Sequence, residues 1–567
     1  MRPAPSWMPG LCAVLLACAG AAAAAPPPDA GTLQNQAERT LAEPASPPPP
    51  GEEAEAAVPD PGPEFVVRRF DIQGARLVAV DELQRELAPW RDRPLRFAEL
   101  RAAQRAVVAL YRANGWFARV QLPEQDITDG TVAMVVVEAR FGRLGVQDEG
   151  RRARGDFIAR LAGRGLEPGA PYPLERLERG LLLANDLPGV SVDGVLQAGQ
   201  APGTSDLVLQ VDDLPLFGGS VAIGNDGSRY TGRTQAIARL TVDNPSGYGD
   251  QLSASGMRGR DLEYAGASYA LPLGSSGLRG SIAYTSLRYR LGKEFESLDA
   301  TGRSRLHRAG LTYPLRRSES WNLEMELAWA RRRQQDDSLG QALRRRDVDD
   351  LALSLYGDAV DRWRGGGHTA WILDLGRGRT RLGLPEDQLY DAAGAGVQGR
   401  FALARLELRH DRWLDADRYL RARLNGQWAD GNLDSSQQFV LGGPTGVRGY
   451  PVNEAAGDSG VVLQLELHRV WTWPRQGELD GHLSLDTGTI RQRQDPWDGW
   501  DMDGARHNRY RLSAFGAGLR WSRGGLSASI ALAAPLGGNP GVLEDGNQDG
   551  TRRTPQLWFN LRQRFPP

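Results

Sequence analysis

The chain has 567 residues, with 68 basic and 70 acidic side chains and a formal net charge of −2. This length is too great for one small domain. Without a concentrated basic face, the charge pattern gives no support for a nucleic-acid partner. Both cysteines, Cys12 and Cys18, lie in the first 25 residues. The remaining chain therefore offers no disulfide, thiolate metal ligand or cysteine nucleophile.

Residues 1–25 are predicted to be a secretory signal peptide. Its positive, apolar and small-residue parts are, in order, Arg2, Leu11–Ala19 and Ala21–Ala25. Cleavage is expected after Ala23 or Ala25, although Leu15–Cys18 also loosely resembles a lipoprotein cleavage box. Beyond this segment no run of about 18 apolar residues occurs, so the sequence predicts no transmembrane helix. A soluble protein and a membrane β-barrel both stay open at this point.

Residues 26–63 form a low-complexity leader. Asp29–Glu43 is rich in helix-forming residues and predicts one short helix. Pro44–Pro63 cannot continue that helix, because proline fixes φ and has no amide hydrogen. We therefore expect a leader helix followed by an extended, Pro-rich linker.

Two units of about 75 residues follow, each mixing strands with two helices. In residues 64–139 the pattern is strand, two helices and two strands, with helices over Asp81–Trp90 and Phe97–Asn114. Residues 140–213 repeat this order, with helices over Gly155–Leu161 and Leu174–Asn185. The repetition predicts two α+β domains.

From about residue 214 to residue 567 the pattern has a period of two. In Val461–His468, four apolar residues alternate with polar ones. A soluble β-sandwich also alternates, but the segments here run about 10–13 residues and their connections alternate between short and long, as in membrane barrels. Five long polar loops are expected: 331–349, 380–397, 430–459, 492–506 and 535–554. The pattern favours a closed barrel of about sixteen antiparallel strands between Phe217 and Phe565, because an open edge would leave unpaired amides in lipid.

The segment Leu441–Pro451 lies in one of these long loops and reads LGGPTGVRGYP. Its residues Val447, Arg448, Gly449 and Tyr450 resemble the VRGY signature of outer-membrane polypeptide-transport barrels. The phrases at 111–130, 185–213, 225–235 and 243–256 are similar to those of the TpsB family, the outer-membrane transporters of two-partner secretion. With them, the two α+β domains resemble tandem POTRA domains.

The resemblance implies specific roles for these residues. In the family, the VRGY loop is folded back into the pore and its arginine engages an aspartate two residues before a glycine. In this chain those positions are Asp486 and Gly488, and alternation places Asp486 on the lumen face. Permissive backbone is expected from four of the loop's glycines, Gly442, Gly443, Gly446 and Gly449. The family's leader helix plugs the barrel.

No catalytic, cofactor or metal site is expected. Gly457–Gly460 reads GDSG, as around a protease nucleophile, but the required His and Asp context is missing. The six histidines show no ligand spacing. Asp545–Gly550 matches half of a calcium loop, but the twelfth position is Gln556 rather than a bidentate Glu.

The resemblance implies transport of a large exoprotein across the Gram-negative outer membrane. POTRA domains in the periplasm would capture a TpsA-type partner, unfolded, through its N-terminal secretion domain, and the barrel would conduct it. Other expected partners are outer-membrane lipid and the barrel-assembly machinery, and the protein is expected to be a monomer. The alternative is a barrel-assembly insertase of the same superfamily; a small-solute pore and a secreted enzyme have less support.

Overall fold

The computed structural model describes residues 27–41, 64–125, 127, 129–148, 150–201, 203–501, 507–542 and 546–566. The predicted signal peptide, the Pro-rich linker and Asp545 lie outside these residues. Within the described part of the chain, no helix combines the length and the apolar character that crossing a membrane needs.

Two α/β units precede the largest sheet. The first contains strands β1 to β5, at Phe65–Val66, Arg69–Gln73, Pro94–Leu95, Ala118–Gln121 and Thr131–Glu138, and helices α2 (Val80–Glu86) and α3 (Phe97–Ala113). The second contains strands β6 to β8, at Arg140–Asp148, Val190–Ala198 and Thr204–Asp213, and helices α4 (Gly155–Ala162) and α5 (Leu174–Asn185). Helix α1, Ala30–Leu41, precedes both units.

Each unit is a three-stranded sheet covered by its helices. The sheet order is β2-β5-β4 in the first unit and β6-β8-β7 in the second, with a parallel pair followed by an antiparallel one in each. The apolar faces of the helices and strands meet in two separate buried clusters. The repetition in the sequence thus becomes two domains of the same architecture. The strand predicted at the start of the first unit is split, because Phe65–Val66 pairs with Pro94–Leu95 instead of with the main sheet.

The remaining chain forms a closed barrel of sixteen strands, as the sequence predicts. They are β9 Phe217–Gly224, β10 Gln235–Asp243, β11 Gln251–Arg258, β12 Leu262–Pro272, β13 Arg279–Arg290, β14 Thr301–Arg316, β15 Trp321–Ser338, β16 Gln341–Asp361, β17 Gly367–Leu382, β18 Gly399–Trp413, β19 Arg418–Ala429, β22 Ser459–Trp473, β23 Gly477–Arg491, β24 Arg509–Arg523, β25 Leu526–Leu536 and β26 Gln556–Phe565. Neighbouring strands are antiparallel, and β26 pairs with β9 from Asn560↔Gly224 to Phe565↔Gly219 to close the ring.

The alternation has the orientation of a membrane barrel. On β22 the polar side chains of Gln464, Glu466 and His468 are buried, whereas Leu465 and Leu467 are 42% and 44% exposed. A soluble sandwich would bury the leucines instead. The apolar face therefore points outward to lipid and the polar face lines the lumen.

One predicted loop is instead a strand hairpin. The polar segment 331–349 extends β15 and β16, which are joined only by Leu339 and Gly340. Both residues have positive φ, as a tight hairpin turn requires. Opposite charges face each other across the strands, with Arg332 Nη1 2.6 Å from Asp350 Oδ1. Cross-strand ion pairs make a polar stretch compatible with β pairing, and this signal is invisible when each segment is considered alone.

The second α/β unit is attached to the barrel end that carries the short turns. Arg317, in the turn between β14 and β15, donates to both carboxylate oxygens of Asp186 at 2.8 and 2.9 Å. At the turn between β10 and β11, the Arg154 amide donates to the Gly247 carbonyl at 2.9 Å. This unit is therefore positioned at the mouth of the barrel.

Asp213, the last residue of β8, organises the segment that makes one of these contacts. Its carboxylate accepts backbone N–H bonds from Arg151, Arg152 and Ala153 at 2.8, 2.9 and 3.0 Å. Burial raises the pKa of Asp213, but these bonds more than offset it and hold the pKa below its usual value. The stabilisation is therefore present at neutral pH and is lost as the pH falls through the lowered pKa.

Asp213→Asn is expected to loosen residues 151–154 and speed their cleavage by trypsin. The segment offers three arginines to the protease, and losing the charged acceptor weakens three bonds at once. We expect the initial cleavage rate of the intact protein at neutral pH to rise about tenfold. Asp212→Asn is the matched control, because the neighbouring Asp212 is exposed. Equal rates for both variants would contradict the anchoring role.

Candidate functional site: an arginine latch in the barrel lumen

The chain between β19 and β22, residues 430–458 and hereafter the lumen loop, folds back into the barrel. Its two halves pair as a short hairpin of β20 (Phe439–Val440) and β21 (Ala456–Gly457). At its tip the Tyr450 amide donates to the Val447 carbonyl at 3.2 Å, so the VRGY residues form one tight turn. The structure thus places the predicted motif in a turn of the loop that contacts the lumen wall.

Arg448 is almost completely enclosed, and its side chain is 7% exposed. Its Nε and Nη2 atoms donate to Asp486 Oδ2 and Oδ1 at 2.8 and 2.6 Å. The Arg448 amide also donates to Asp486 Oδ2, at 3.1 Å. Asp486 is 1% exposed on the lumen face of β23. A bidentate bridge supported by a backbone bond fixes both the position and the orientation of the loop tip.

A second carboxylate, absent from the sequence-based prediction, completes the site. Glu466 on β22 accepts from Arg448 Nη1 at 2.5 Å. The guanidinium therefore lies between two carboxylates on adjacent strands, and we call Arg448, Asp486 and Glu466 the latch. The alternation of residues 461–468 already placed Glu466 on the polar face. The sequence could not show that this carboxylate lies within hydrogen-bonding distance of the loop.

The other motif residues fit the loop against the wall. Val447 and Tyr450 are fully buried in an apolar cluster with Leu441, Val462, Ile490, Tyr510, Leu512 and Ala514. A Cβ at Gly449 would lie 2.8 Å from the Ala514 Cβ and 2.8 Å from the Pro535 amide nitrogen. At Gly488 it would lie 2.9 Å from a Leu441 methyl group. Both positions require glycine because the loop and the barrel wall pack too closely there to leave room for a side chain.

Of the four glycines expected to give permissive backbone, only one has the left-handed conformation that favours glycine. Gly443 has φ +107°. Gly442, Gly446 and Gly449 are crowded instead, and a Cβ at Gly446 would lie 1.9 Å from the Leu441 carbonyl oxygen. The expectation of permissive backbone is therefore right for Gly443, and for the other three close packing is the reason for glycine.

Two further side chains hold the loop backbone. Trp558 Nε1 on β26 donates to the Arg448 carbonyl at 2.8 Å, and Gln464 Nε2 on β22 donates to the Gly446 carbonyl at 2.8 Å. The loop is thus tied to β22 and β26 as well as to β23. Removing one partner of the buried Arg448–Asp486 ion pair would cost about 3–5 kcal/mol, because the charge of the other partner would be left uncompensated.

Helix α1 lies inside the barrel beside the lumen loop. Ala30, Leu33 and Ala37 pack on an apolar patch of the lumen wall that contains Tyr264, Leu287 and Tyr289. The helix also contacts the loop directly. Arg39 Nη2 donates to Asn453 Oδ1 at 3.1 Å, and Asn453 Nδ2 donates to Gln36 Oε1 at 2.8 Å.

The N-terminal end of α1 is anchored to the barrel wall and to the loop. The Ala30 amide donates to Asp336 Oδ1 at 2.9 Å. Asp29 accepts from Ser435 Oγ at 2.7 Å and from Arg344 Nη1 at 3.2 Å. The helix and the loop occupy the lumen together, and a cavity of about 1460 Å³ borders both of them.

The protease-like and calcium-like motifs that the sequence analysis rejected can be compared with the structure. Asp458 of the GDSG segment accepts from the amides of Leu433 and Gln494 at 3.1 and 2.8 Å, so it fastens the base of the lumen loop. Among the described residues, no group of three or more His, Cys, Asp or Glu side chains could hold a metal ion. Asp545 of the calcium-like segment lies outside the described residues.

The fold and the site together define a class of protein. It is an outer-membrane β-barrel transporter with α/β modules on its periplasmic side, a loop latched inside the lumen and a helix beside that loop. Sequence comparison places the chain within this class. The family model for the haemolysin secretion/activation protein ShlB/FhaC/HecB matches residues 203–520, and that for the ShlB-type POTRA domain matches residues 65–139. The chain belongs to the ShlB/FhaC/HecB family of outer-membrane transporters of two-partner secretion.

Individual relatives agree with this placement. The heme/hemopexin transporter protein HuxB of Haemophilus influenzae is 27% identical over 469 residues, covering 82% of each chain. The outer membrane transporter CdiB of Escherichia coli O6:K15:H31 is 26% identical over 516 residues, covering 89% of this chain and 84% of the relative.

Solved structures share the fold. CdiB from Escherichia coli superposes with a TM-score of 0.64 at 23% identity, covering 91% of this chain and 94% of the other. BamA from Haemophilus ducreyi lacking POTRA domains 1–3 superposes with a TM-score of 0.55 at 14% identity, covering 88% of this chain and all of the other. The resemblance to the TpsB family is confirmed. The insertase BamA shares the fold with this chain but is a more distant neighbour.

Proposed function

We propose that this transporter exports one large partner exoprotein, which its POTRA domains capture unfolded through an N-terminal secretion domain. The domain limits are 64–139 and 140–213 for the two POTRA domains and 214–567 for the barrel. Strands β2 and β4 in the first unit and β6 and β7 in the second are sheet edges that can add an extended segment. Such strand addition binds the substrate mainly through backbone hydrogen bonds, which suits an unfolded chain.

The observation that carries the proposal is the lumen, where a displaceable loop and helix lie together. An exported chain can pass only if both move, since the helix packs on β12 and β13 while the loop tip is bound to β22, β23 and β26. The latch is strong enough to hold the loop and is built from polar contacts that water in the pore can replace. We therefore assign Arg448 and Asp486 the role of the gate's reversible bond, with Val447, Gly449, Tyr450 and Gly488 as its packing.

The proposal includes no catalytic chemistry and no cofactor. The free energy for export would come from folding of the exoprotein outside the cell, where each folded portion cannot return through the pore. Its partners are then the exoprotein, outer-membrane lipid and, during biogenesis, the barrel-assembly machinery, with the transporter acting as a monomer.

Purified transporter in lipid vesicles is expected to translocate the exoprotein's secretion domain without ATP. The measurement is protection of the labelled domain from external protease, with the same vesicles carrying Arg448→Ala as control. An absolute requirement for ATP would remove the proposed energy source. Protection that is equal in vesicles without transporter would remove the assay's support for export.

A further inference from the structure

His468 lies on the lumen face of β22, two residues beyond the latch carboxylate Glu466. Its side chain is 4% exposed, and both ring nitrogens lie against carboxylate oxygens. Nδ1 is 2.8 Å from Asp480 Oδ1, and Nε2 is 3.0 Å from Glu466 Oε2. A neutral imidazole has one N–H and one lone pair, whereas the imidazolium donates from both nitrogens. The geometry therefore fits the charged ring.

Both carboxylates act as acceptors elsewhere, which supports this protonation state. Glu466 Oε1 accepts from Arg448 Nη1 at 2.5 Å, and Asp480 Oδ2 accepts from Tyr419 Oη at 2.9 Å. With the carboxylates ionised, the proton that satisfies each short contact has to come from His468. A hydrogen-bonded chain thus runs from Arg448 through Glu466 and His468 to Asp480.

The surroundings fix the ring in place. Tyr419 stacks on one face with centroids 4.2 Å apart and planes 11° apart, and His482 lies on the other at 5.1 Å. The ring therefore cannot rotate away from its two acceptors without losing both stacking contacts. The titratable and charged groups that face this cluster are Glu466 on β22, Tyr419, Arg421 and Arg423 on β19, Asp480 and His482 on β23, Arg520 on β24 and Arg448 on the lumen loop.

We propose that His468, as the imidazolium, is a positioning residue that holds Glu466 against Arg448, so that loss of its proton weakens the hold of the lumen loop on the barrel wall. The neutral ring has only one N–H, so one of the two carboxylates would face a lone pair; when that carboxylate is Glu466, it loses the donor that holds it in place beside the guanidinium. Histidine is suited to this role because it changes charge within the physiological pH range. The inference rests on the proposed role of the latch, but it concerns the position of the loop and not export itself.

The test measures loop position with a buried reporter cysteine. Ala514 is fully covered and packs in the same apolar cluster as Val447 and Tyr450, so Ala514→Cys reacts with a neutral maleimide only when the loop leaves. The chain has no other cysteine beyond the predicted signal peptide. Labelling rates of the full-length protein in vesicles are compared between His468 and His468→Gln at each pH. The ratio cancels the pH dependence of the thiol.

We expect His468→Gln to label about tenfold faster at about pH 6, with the ratio falling toward one as the pH rises and the imidazolium loses its proton. His468→Lys, which keeps a positive donor, is expected to label slowly at every pH in the series. His410→Gln is the matched control, since His410 contacts Thr369 and none of the latch residues. Each barrel is first checked by heat-modifiable gel mobility.

A ratio that stays constant with pH, or a His468→Lys variant that labels like His468→Gln, would overturn the inference. If His468→Gln does not form a barrel, Asp480→Asn tests the same chain, and it should raise labelling with a weaker pH dependence. If Arg448→Ala speeds labelling while His468→Gln does not, the inference fails alone. If Arg448→Ala changes neither labelling nor export, the proposed role of the latch fails.

Discussion

Arg448→Ala is expected to leave a barrel that inserts normally but secretes its exoprotein at least about a hundredfold less. Truncation leaves Asp486 and Glu466 buried without their cation, and losing one partner of a buried pair costs about 3–5 kcal/mol. Without this bond the loop tip cannot return to a defined position on the wall after it has moved, so the gate can no longer open and close in turn, although the strands that form the barrel stay intact. The measurement is the amount of exoprotein in the culture medium and on the surface of the same cells. Folding of the barrel is checked by heat-modifiable gel mobility.

Arg448→Lys separates charge from geometry. Lysine keeps the positive charge but cannot contact Asp486 with two parallel bonds while also reaching Glu466. We expect secretion intermediate between the parent and Arg448→Ala. A fully active Arg448→Lys would show that charge alone is sufficient, and unchanged secretion by Arg448→Ala would remove the latch from the transport mechanism.

A charge swap is a weaker test than the single substitution, because of Glu466. Arg448→Asp combined with Asp486→Arg restores one pair but sets the new carboxylate of the loop against Glu466. Like charges at this distance repel in a poorly hydrated site. We therefore expect little recovery from the swap alone and more when Glu466→Gln is added.

The barrel was predictable because one strong signal, alternation, recurs along sixteen strands and only closure satisfies their backbone in lipid. The hairpin at 331–349 was wrongly predicted as a loop because its residues are polar on both faces and show no such alternation. The pairing that stabilises it depends on charges sixteen to eighteen residues apart, as in Arg331 with Asp347. Local patterns cannot report such a partner.

The same limit applies to the site. Arg448 and Asp486 were recognisable because the motif and the lumen alternation both mark them, and the structure brings them together. Glu466 and His468 carry no motif, and their significance comes from the register that sets β22 beside both β19 and β23. The position of helix α1 is a further case, since its composition predicts a short helix and says nothing about what that helix packs against.

Gly31→Leu is expected to displace helix α1 and open the pore without any partner protein. A Cβ at Gly31 would lie 2.4 Å from Ser435 Oγ and 2.8 Å from the Ser436 amide nitrogen, so a larger side chain cannot be accommodated while Asp29 stays bound to Ser435. The second of these overlaps falls on the lumen loop's backbone, which cannot move aside as a flexible side chain would. We therefore expect the helix to leave its site.

Planar bilayers give the measurement, as the open probability and conductance of purified protein. We expect Gly31→Leu to raise the time spent open by about tenfold or more, since a displacement cost of only about 1.4 kcal/mol shifts an equilibrium tenfold. Thr40→Leu is the matched control, because Thr40 borders the open cavity near the other end of the same helix. Equal gating by both variants would mean that the packing at Gly31 does not hold the helix. A closed pore in Gly31→Leu with α1 shown to be displaced would mean that the latched lumen loop alone closes the barrel, and Arg448→Ala should then open it.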